Sequence, residues 1–330
     1  MLEDMEANQE METLADFRNW DELIPDVLGV IFTYLNLQEK LTLVPSVCKA
    51  WANAMAGPYC WKEIDIEDWS NRCEPDQLDR MVEMLITRSA GSLRKLCVSR
   101  IQTEGTFTFI AENAPSLHSL KMPRCSLNDS VVENLSKRLS MLSFLDLSYC
   151  VINGARAIEL IGKNCKLLEG LCRNMHPIET EGKPFEDDEA YAIASSMPML
   201  KHLELAYHLI DTDGVRQILS SCHKLEFLDL RGCWAVSLED IPVGRNFPKV
   251  KILGPHVPDD DEGDDDWDDD ISEESHYLAW EFLAGHIDEF YDDESDIDDG
   301  MWDDEGRLEE LEFRFYQGIE DAGMNWPPSP

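Results

Sequence analysis

Cysteine is the residue type in this sequence whose chemistry is most open to interpretation. The chain of 330 residues contains ten cysteines, and no two of them form a C-x-x-C pair. Disulfide frameworks and structural zinc sites use closely spaced cysteines, whereas scattered ones are typical of reduced thiols that pack as small apolar side chains. The spacing therefore predicts free packing thiols rather than a disulfide or zinc framework.

The remaining chemically capable residues do not form a catalytic motif. The eight histidines are scattered, and His202 and His208 are predicted to lie at the surface. P-loop, G-x-S-x-G and H-E-x-x-H patterns are absent from the sequence. Neither Gly263 nor Gly300 has the register of an EF-hand calcium loop. We therefore predict no catalytic residue, no cofactor and no metal ligand, and a protein that is not an enzyme.

Charge divides the chain into a mildly acidic body and a strongly acidic tail. The net charge is −39, and residues 259–330 contain 29 acidic and 2 basic side chains. Such a chain is repelled by nucleic-acid backbones and by anionic membrane surfaces, so neither is an expected partner. The first residues are acidic and lack a long apolar run, so we do not expect them to form a secretory signal, and no apolar run is long enough for a membrane helix. Nucleus, cytoplasm or both are the expected location.

A leucine frame, Leu-x-x-Leu-x-Leu, recurs through the body. Its first positions are spaced 24, 25, 26, 32, 25 and 25 residues apart, and the long gap fits an insertion near residues 177–187. Each Leu-x-Leu predicts a short strand with inward leucines, and stacked units pair these strands in a parallel ladder. The copies are Leu93/Leu96/Val98, Leu117/Leu120/Met122, Leu142/Leu145/Leu147, Leu168/Leu171, Leu200/Leu203/Leu205, Leu225/Leu228/Leu230 and the weaker Val250/Leu253.

Helical patterns lie between the predicted strands and should cover the far side of the ladder. An example is the stripe of Val132, Leu135 and Leu139. Four polar residues stand where helix N-caps belong, namely Asn128, Asn153, Asp187 and Asp211. Several cysteines recur at fixed places in the repeat, which indicates packing rather than reactivity. They are Cys125, Cys150 and Cys233 after the strand and Cys165 and Cys222 before the frame.

The segment before the repeats predicts a small helical hairpin. Pro25 and Asp26 suit the start of a helix, and residues 36–38 suit a short break after it. Pro45 should kink or shorten the later helical stretch. A unit of about 45 residues buries little surface by itself, so such a module often completes its core on a partner. Its apolar residues at helical spacing are Val27, Leu28, Ile31, Phe32 and Leu35, then Leu41, Val44, Val47, Cys48 and Trp51.

Residues 17–64 resemble an F-box. The match consists of Ile-Pro at 24–25, Leu28, Ile-Phe at 31–32, Tyr-Leu at 34–35, Val-Cys-Lys-x-Trp at 47–51, and Pro58 with Trp61. Residues 90–254 resemble the cysteine-containing class of leucine-rich repeats, and the whole of 17–254 is similar to plant Skp-interacting F-box proteins. The resemblance implies a Skp adaptor as partner and, through it, cullin and RING subunits. It implies that the adaptor contacts are formed or supported by Pro25, Leu28, Ile31, Phe32, Leu35, Val47, Cys48 and Trp51.

This resemblance gives the expected architecture. The fold class is α/β, with a helical F-box followed by a right-handed repeat solenoid made of a parallel strand ladder and outer helices. We expect an acidic, disordered N-terminus at 1–16, the F-box at 17–64, and the solenoid with its helical N-terminal segment at 65–254. An acidic tail at 255–330 should contain two short amphipathic helices, around residues 280–291 and 308–319, that dock on the open end of the solenoid or bind a basic partner.

Residues beside the inward leucines should line a concave face that binds a protein target. They include Asp146, Glu204 and Asp229, together with aromatic and basic residues of the kind that anchor interfaces. The predicted target-binding residues are Lys95, Arg100, Lys121, Arg124, Phe144, Tyr149, His202, Tyr207, Phe227, Arg231 and Trp234.

Three functions are compatible with this layout. The first is the substrate-recognition subunit of a Skp–cullin–F-box ubiquitin ligase, which recruits a target for ubiquitylation and proteasomal degradation. The second is an acidic-tailed repeat protein that binds or chaperones basic nuclear proteins. The third is an F-box scaffold without degradation. The helical hairpin could also serve only as an N-terminal cap of the solenoid.

Overall fold

The computed structural model describes residues 20, 23–152, 154–176, 185–241 and 247–256. The predicted acidic N-terminus and the two tail helices lie outside these residues. Among the described residues, none of the helices has both the length and the apolar composition needed to cross a bilayer.

The first N-terminal helix starts where it was predicted, but the break after it lies at residues 33–36 rather than 36–38, because Asn36 caps a helix that begins at Leu37. Helix α1 (Pro25–Phe32) begins with Pro25 in its first turn, where a missing N–H costs no hydrogen bond. Helix α2 (Leu37–Thr42) begins at a reciprocal capping box in which Asn36 and Glu39 bond each other's backbone N–H.

The helix that contains Pro45 is short, in agreement with the prediction that Pro45 kinks or shortens this stretch. Helix α3 (Val44–Val47) carries Pro45 in its first turn, and Cys48 is extended, with φ −161° and ψ 167°, before α4 (Lys49–Ala56). Helical spacing across residues 41–51 therefore predicted one element where the chain forms three short ones. A 3₁₀ turn at Pro58–Trp61 follows α4.

Among the described residues, eight parallel strands form one sheet in sequence order, and the leucine frame predicted the last seven of them. Each strand has three residues, and the central one is aligned with the central residue of its neighbours, as in Leu96 with Leu120 and Leu145. The strands are β1 (Glu63–Asp65), β2 (Lys95–Cys97), β3 (Ser119–Lys121), β4 (Phe144–Asp146), β5 (Gly170–Cys172), β6 (His202–Glu204), β7 (Phe227–Asp229) and β8 (Lys251–Leu253).

Strand β1 was not predicted. Ile64 is its buried central residue and pairs with Leu96, but the leucine frame is absent around it. The ladder thus starts inside the segment that resembles an F-box.

Helices cover the other side of the ladder. Two helices precede β2, namely α5 (Glu67–Ser70) and the longer α6 (Pro75–Ser89), whose apolar residues Leu78, Met81, Val82, Leu85 and Ile86 are buried. The helices between the later strands are α7 (Glu104–Asn113), α8 (Asp129–Arg138), α9 (Gly154–Asn164), α10 (Asp188–Ser196) and α11 (Thr212–Ser221).

The predicted helix caps have three outcomes. Asn128 accepts a hydrogen bond from the Val131 N–H at the start of α8, and Asp211 accepts from Asp213 and Gly214 at the start of α11. Asp187 stands at the N-cap position of α10, but its carboxylate accepts instead from the Asp211 N–H at 3.0 Å. Asn153 lies outside the described residues.

The recurring cysteines pack in the core as free thiols, in agreement with the sequence. Cys125, Cys150 and Cys233 are buried, and the Cys233 thiol donates to the Leu205 carbonyl at 3.1 Å. Burial raises the pKa of Cys233 to about 12. The Cys233 thiol is therefore protonated near neutral pH, which disfavours a nucleophilic role.

A buried ionic cluster interrupts the apolar frame beside β5. Arg173 occupies the position that Leu147 and Leu205 hold in neighbouring units, and its Nε lies 3.3 Å from Glu189 Oε2. His208 Nε2 approaches the same oxygen at 3.0 Å. His208 is buried, so its prediction as a surface residue was wrong. Burial alone would raise the pKa of Glu189, but the hydrogen bond from His208 and the charge of Arg173 lower it to about 2.

Candidate functional site

Apolar side chains on the outside of the N-terminal helices form the first candidate site. Val27, Val30 and Tyr34 are spaced so that they share one side of α1 and its C-terminal turn. Exposed apolar groups of this density mark interaction surfaces. We define the N-terminal apolar face by its large side chains that are 41–87% exposed, which are Ile24, Val27, Val30, Tyr34, Leu43 and Val47.

Helix α1 is apolar on its inner side as well. Leu28 and Phe32 are buried, and the Phe32 ring packs edge-on against Trp51 with centroids 5.1 Å apart. The Trp51 Nε1–H donates to the Trp20 carbonyl at 3.3 Å. Gly29 faces Tyr59 so closely that an added methyl group would lie 2.6 Å from Tyr59 Cβ. The inner side of α1 is thus fixed by close packing, and the outer side stays open to solvent.

The concave side of the ladder forms the second candidate site. The central residue of each strand points into the core, so its two neighbours point to the opposite face. None of the eleven predicted target-binding residues is fully buried, and Arg100 and Trp234 are exposed. We call this opposite surface of the sheet the concave face. It comprises the first and third residues of each strand and the turn that follows the strand.

An aromatic row crosses four strands of the concave face. The Phe144 ring covers the position of Gly170, where an added methyl group would lie 2.5 Å from Phe144 Cδ2. The rings of Phe144 and His202 have centroids 6.2 Å apart, and His202 stacks on Phe227 at 4.6 Å. Lys121 Nζ lies 6.0 Å from the centroid of Phe144. Three of the predicted target-binding residues, Phe144, His202 and Phe227, therefore lie in one row. A fourth, Lys121, lies beside it.

Carboxylates beside this row are held in defined hydrogen bonds. Burial raises the pKa of Asp146 to about 6. Burial would also raise the pKa of Glu204, but hydrogen bonds from His202 at 2.7 Å and from Asn174 at 2.9 Å keep it below its ordinary value. Asp229 is buried and bonds the guanidinium of Arg231 through both carboxylate oxygens. Arg231, a predicted target contact, is therefore already engaged within the chain.

The turn after each strand places four predicted residues in the left-handed region. Arg100, Arg124, Tyr149 and Tyr207 have φ between 56° and 62°, and Gly232 has φ 74° at the equivalent place. Their N–H groups donate to the next unit, as Arg100 does to the Pro123 carbonyl at 3.1 Å. A non-glycine residue costs about 1–2 kcal/mol in this conformation, so the extended ladder must compensate it.

Side chains of these turns also meet in pairs. Arg124 lies over the Tyr149 ring at 5.8 Å. Arg100 Nη1 donates to the Asn71 carbonyl at 2.6 Å, and Arg124 Nη1 lies 3.4 Å from Asn71 Oδ1. Trp234 is 65% exposed, and the centroid of its ring lies 6.5 Å from that of His256. The two basic turns thus share one asparagine, which the sequence analysis did not single out.

Comparison with known proteins places the chain in a family. It is 53% identical over 326 residues to F-box protein FBW2 of Arabidopsis thaliana, an alignment that covers 97% of this chain and 100% of that protein. The chain belongs to the F-box protein family. F-box protein SKIP19 is 32% identical, with 73% of this chain and 78% of that protein covered, and F-box protein SKIP1 is 31% identical, with 72% and 86% covered. Both are also from Arabidopsis thaliana, in agreement with the plant resemblance.

Two further comparisons add little. No family model matches the chain. The solved complex of Rad7 and Elc1 in yeast covers 77% of this F-box protein and 86% of that chain at 11% identity, with a TM-score of 0.20, which carries no argument about the fold.

The structure divides the predicted adaptor-binding residues of this F-box protein. Pro25 and Val47 are exposed, whereas Ile31, Leu35, Cys48 and Trp51 are half-buried. Leu28 and Phe32 belong to the core and support α1 from behind. Val30, Tyr34 and Leu43 are also exposed, although they were not among the predicted adaptor-binding residues. Their i, i+3 and i+4 spacing was visible, but α1 is apolar on both sides, so the pattern alone did not show which side faces outward.

Two cysteines of this F-box protein differ from the packing thiols. Cys97 and Cys172 come directly after an inward leucine, so their side chains lie on the concave face. The Cys97 thiol donates to Glu67 Oε2 at 3.0 Å. Burial, with the carboxylate of Asp146 nearby, raises the pKa of the Cys172 thiol well above its ordinary value. The sequence position of both cysteines, one residue after the inward leucine of a strand, indicates this orientation, but they were not singled out from the sequence.

Proposed function

We propose that this F-box protein is the substrate-recognition subunit of a Skp–cullin–F-box ubiquitin ligase. Its N-terminal apolar face binds a Skp-type adaptor, which links it to cullin and RING subunits. The concave face binds a protein target, which is ubiquitylated and degraded. The observation that carries this proposal is an exposed apolar face on the F-box helices of a chain in the F-box family.

The chemistry of the concave face supports a protein as the target. Aromatic rings and guanidinium groups stand side by side there, and such groups anchor protein interfaces. Basic residues dominate the turns after β2 and β3, with Arg100 and Arg124, whereas Glu204 and Asp229 lie on β6 and β7. A target with an acidic segment is complementary to the basic turns, because Asp229 is buried and already paired with Arg231.

In this function the chain contributes proximity rather than bond chemistry. Holding the target and the ligase subunits on one molecule turns a bimolecular encounter into an intramolecular one, with a higher effective concentration. The complex acts in the nucleus, the cytoplasm or both. Degradation distinguishes this function from a scaffold, because only the ligase subunit shortens the lifetime of its target.

A binding measurement with surface variants tests the adaptor contact. The full-length protein is titrated with a purified Skp-type adaptor by calorimetry. We expect the double variant Val30→Ala with Tyr34→Ala to lose affinity by about tenfold to a hundredfold, since truncating a central aromatic contact costs roughly 2 kcal/mol or more. Both side chains are exposed, so the fold should be retained.

The matched control is Tyr191→Ala, which removes an exposed aromatic ring from α10, outside the N-terminal apolar face. It should bind the adaptor like the unmodified chain. Equal affinity of the double variant and the control would contradict the proposed contact. If the adaptor binds but deletion of the F-box leaves the lifetime of a captured target unchanged, the scaffold function replaces the ligase function.

A further inference from the structure

Three side chains of types that can coordinate a metal ion meet on the concave face between β5 and β6. Cys172 is aligned with Glu204 across the two strands, and His202 precedes Glu204 by two residues on the same side of β6. One donor atom from each of the three side chains lies within 4.8 Å of the other two. The parallel register thus sets this cluster, because cross-strand partners on one face stand side by side.

The surroundings hold the donor groups in position. The second oxygen of Glu204 accepts from Asn174 Nδ2 at 2.9 Å, and Asn174 Oδ1 accepts from the Ala206 N–H at 2.8 Å. The His202 ring is stacked on Phe227 with an interplanar angle of 9°. Outer hydrogen bonds and an apolar wall of this kind are what orient the ligands of metal sites in proteins.

We propose that Cys172, His202 and Glu204 form a Zn²⁺ site. A thiolate, an imidazole and a carboxylate are the three ligand types that zinc uses in proteins, at distances of about 2.0–2.3 Å. Tetrahedral geometry at these bond lengths separates the donors by roughly 3.3–3.8 Å, so the side chains need only small movements. On binding, the Cys172 thiol releases its proton to solvent, and the contact between His202 and Glu204 is exchanged for bonds to the metal.

Three protein ligands leave the fourth position of a tetrahedral zinc ion open. A water molecule or a side chain of a bound protein would complete the coordination. Metal binding needs neither the adaptor nor the target, so the zinc site and the proposed function stand or fall separately.

Cobalt titration tests the site through a signal that the acidic tail does not produce. The reduced full-length protein is titrated with Co²⁺ in excess Mg²⁺, which occupies exposed carboxylates. We expect a sulfur-to-cobalt charge-transfer band that saturates at one equivalent and disappears when Zn²⁺ is added. Cys172→Ser should abolish this band, whereas His202→Gln and Glu204→Gln should weaken Co²⁺ binding by at least about tenfold.

Cys97→Ser is the matched control. It removes the other thiol–carboxylate pair of the concave face and should leave the band unchanged. Absence of the band in the unmodified protein, or its persistence in Cys172→Ser, would overturn the proposal. Circular dichroism checks each variant for folding, and if Cys172→Ser is unfolded, an unchanged Co²⁺ affinity in His202→Gln and Glu204→Gln contradicts the site equally.

Discussion

Arg173 is a charged residue at a position that an apolar side chain takes in the other repeats. Its guanidinium is matched by Glu189, and His208 bonds the same carboxylate, so the charge is paired although it is buried. Removal of one partner from such a cluster leaves an uncompensated buried charge, which costs far more than a surface ion pair contributes. Glu189 is therefore the residue on which this part of the solenoid most depends.

We expect Glu189→Gln to lower the free energy of unfolding at pH 7 by about 3 kcal/mol, measured by urea denaturation. The pKa of Glu189 is about 2 in the folded protein, below its ordinary value of 4.5. Its carboxylate therefore stabilises the fold above pH 4.5, and this contribution is lost as the pH falls from 4.5 towards 2. Acidification should then destabilise the unmodified protein more than the variant.

Glu186→Gln is the control for this prediction, because Glu186 is an exposed glutamate just before α10. It should change the free energy of unfolding by less than about 0.5 kcal/mol. Equal stability of the two variants at pH 7 would show that the buried cluster does not stabilise the fold.

Residue conformation was the least predictable level of the structure. Arg124, Tyr149 and Tyr207 adopt a positive φ that local sequence does not indicate, since glycine, asparagine and aspartate are the usual residues there. The hydrogen bonds from these N–H groups to carbonyl groups of the next repeat impose the positive φ. These bonds form only after the repeats have stacked. Only Gly232, at the equivalent place after β7, carries a local signal.

At the scale of elements, neighbouring helices are held at a distance set by small residues. Gly162 lies in α9 where α10 packs against it, and an added methyl group would lie 2.6 Å from Ser196 Cβ and 2.9 Å from Met197 Cγ. Substitution of glycine by alanine usually stabilises a helix. Whether it raises or lowers the stability of this protein at Gly162 therefore depends on the close contact with α10.

We expect Gly162→Ala to lower the free energy of unfolding by about 1–3 kcal/mol, because the methyl group forces α9 and α10 apart. Gly105→Ala in α7 is the matched control, since nothing lies within 4 Å of its added methyl group. The control should stabilise the protein by up to about 1 kcal/mol. Thermal or urea unfolding of both variants measures the difference, and an equal or higher stability of Gly162→Ala would refute the close packing.

Elements were predictable where repetition supplied a pattern. The leucine frame predicted β2 to β8 because each copy repeats the same inward residues. It missed β1, where Ile64 stands without the frame. In the N-terminal helices, spacing predicted helical structure but not the extended residue Cys48 between two of them.

At the scale of the whole molecule, the F-box helices and the repeats share one hydrophobic core. It extends from Leu28 to Ile241, and β1 joins the sheet directly to the F-box segment. The Ser92 hydroxyl also donates to the Pro58 carbonyl at 3.2 Å across this junction. In the proposed function, this continuity fixes the adaptor contact relative to the concave face.

Amide hydrogen exchange with and without a purified Skp-type adaptor shows which elements of the chain the adaptor contacts. We expect slower exchange in α1 and α3, which carry the N-terminal apolar face, and unchanged exchange in β4 to β7. No protection of α1, or protection of the concave strands by the adaptor, would contradict this expectation.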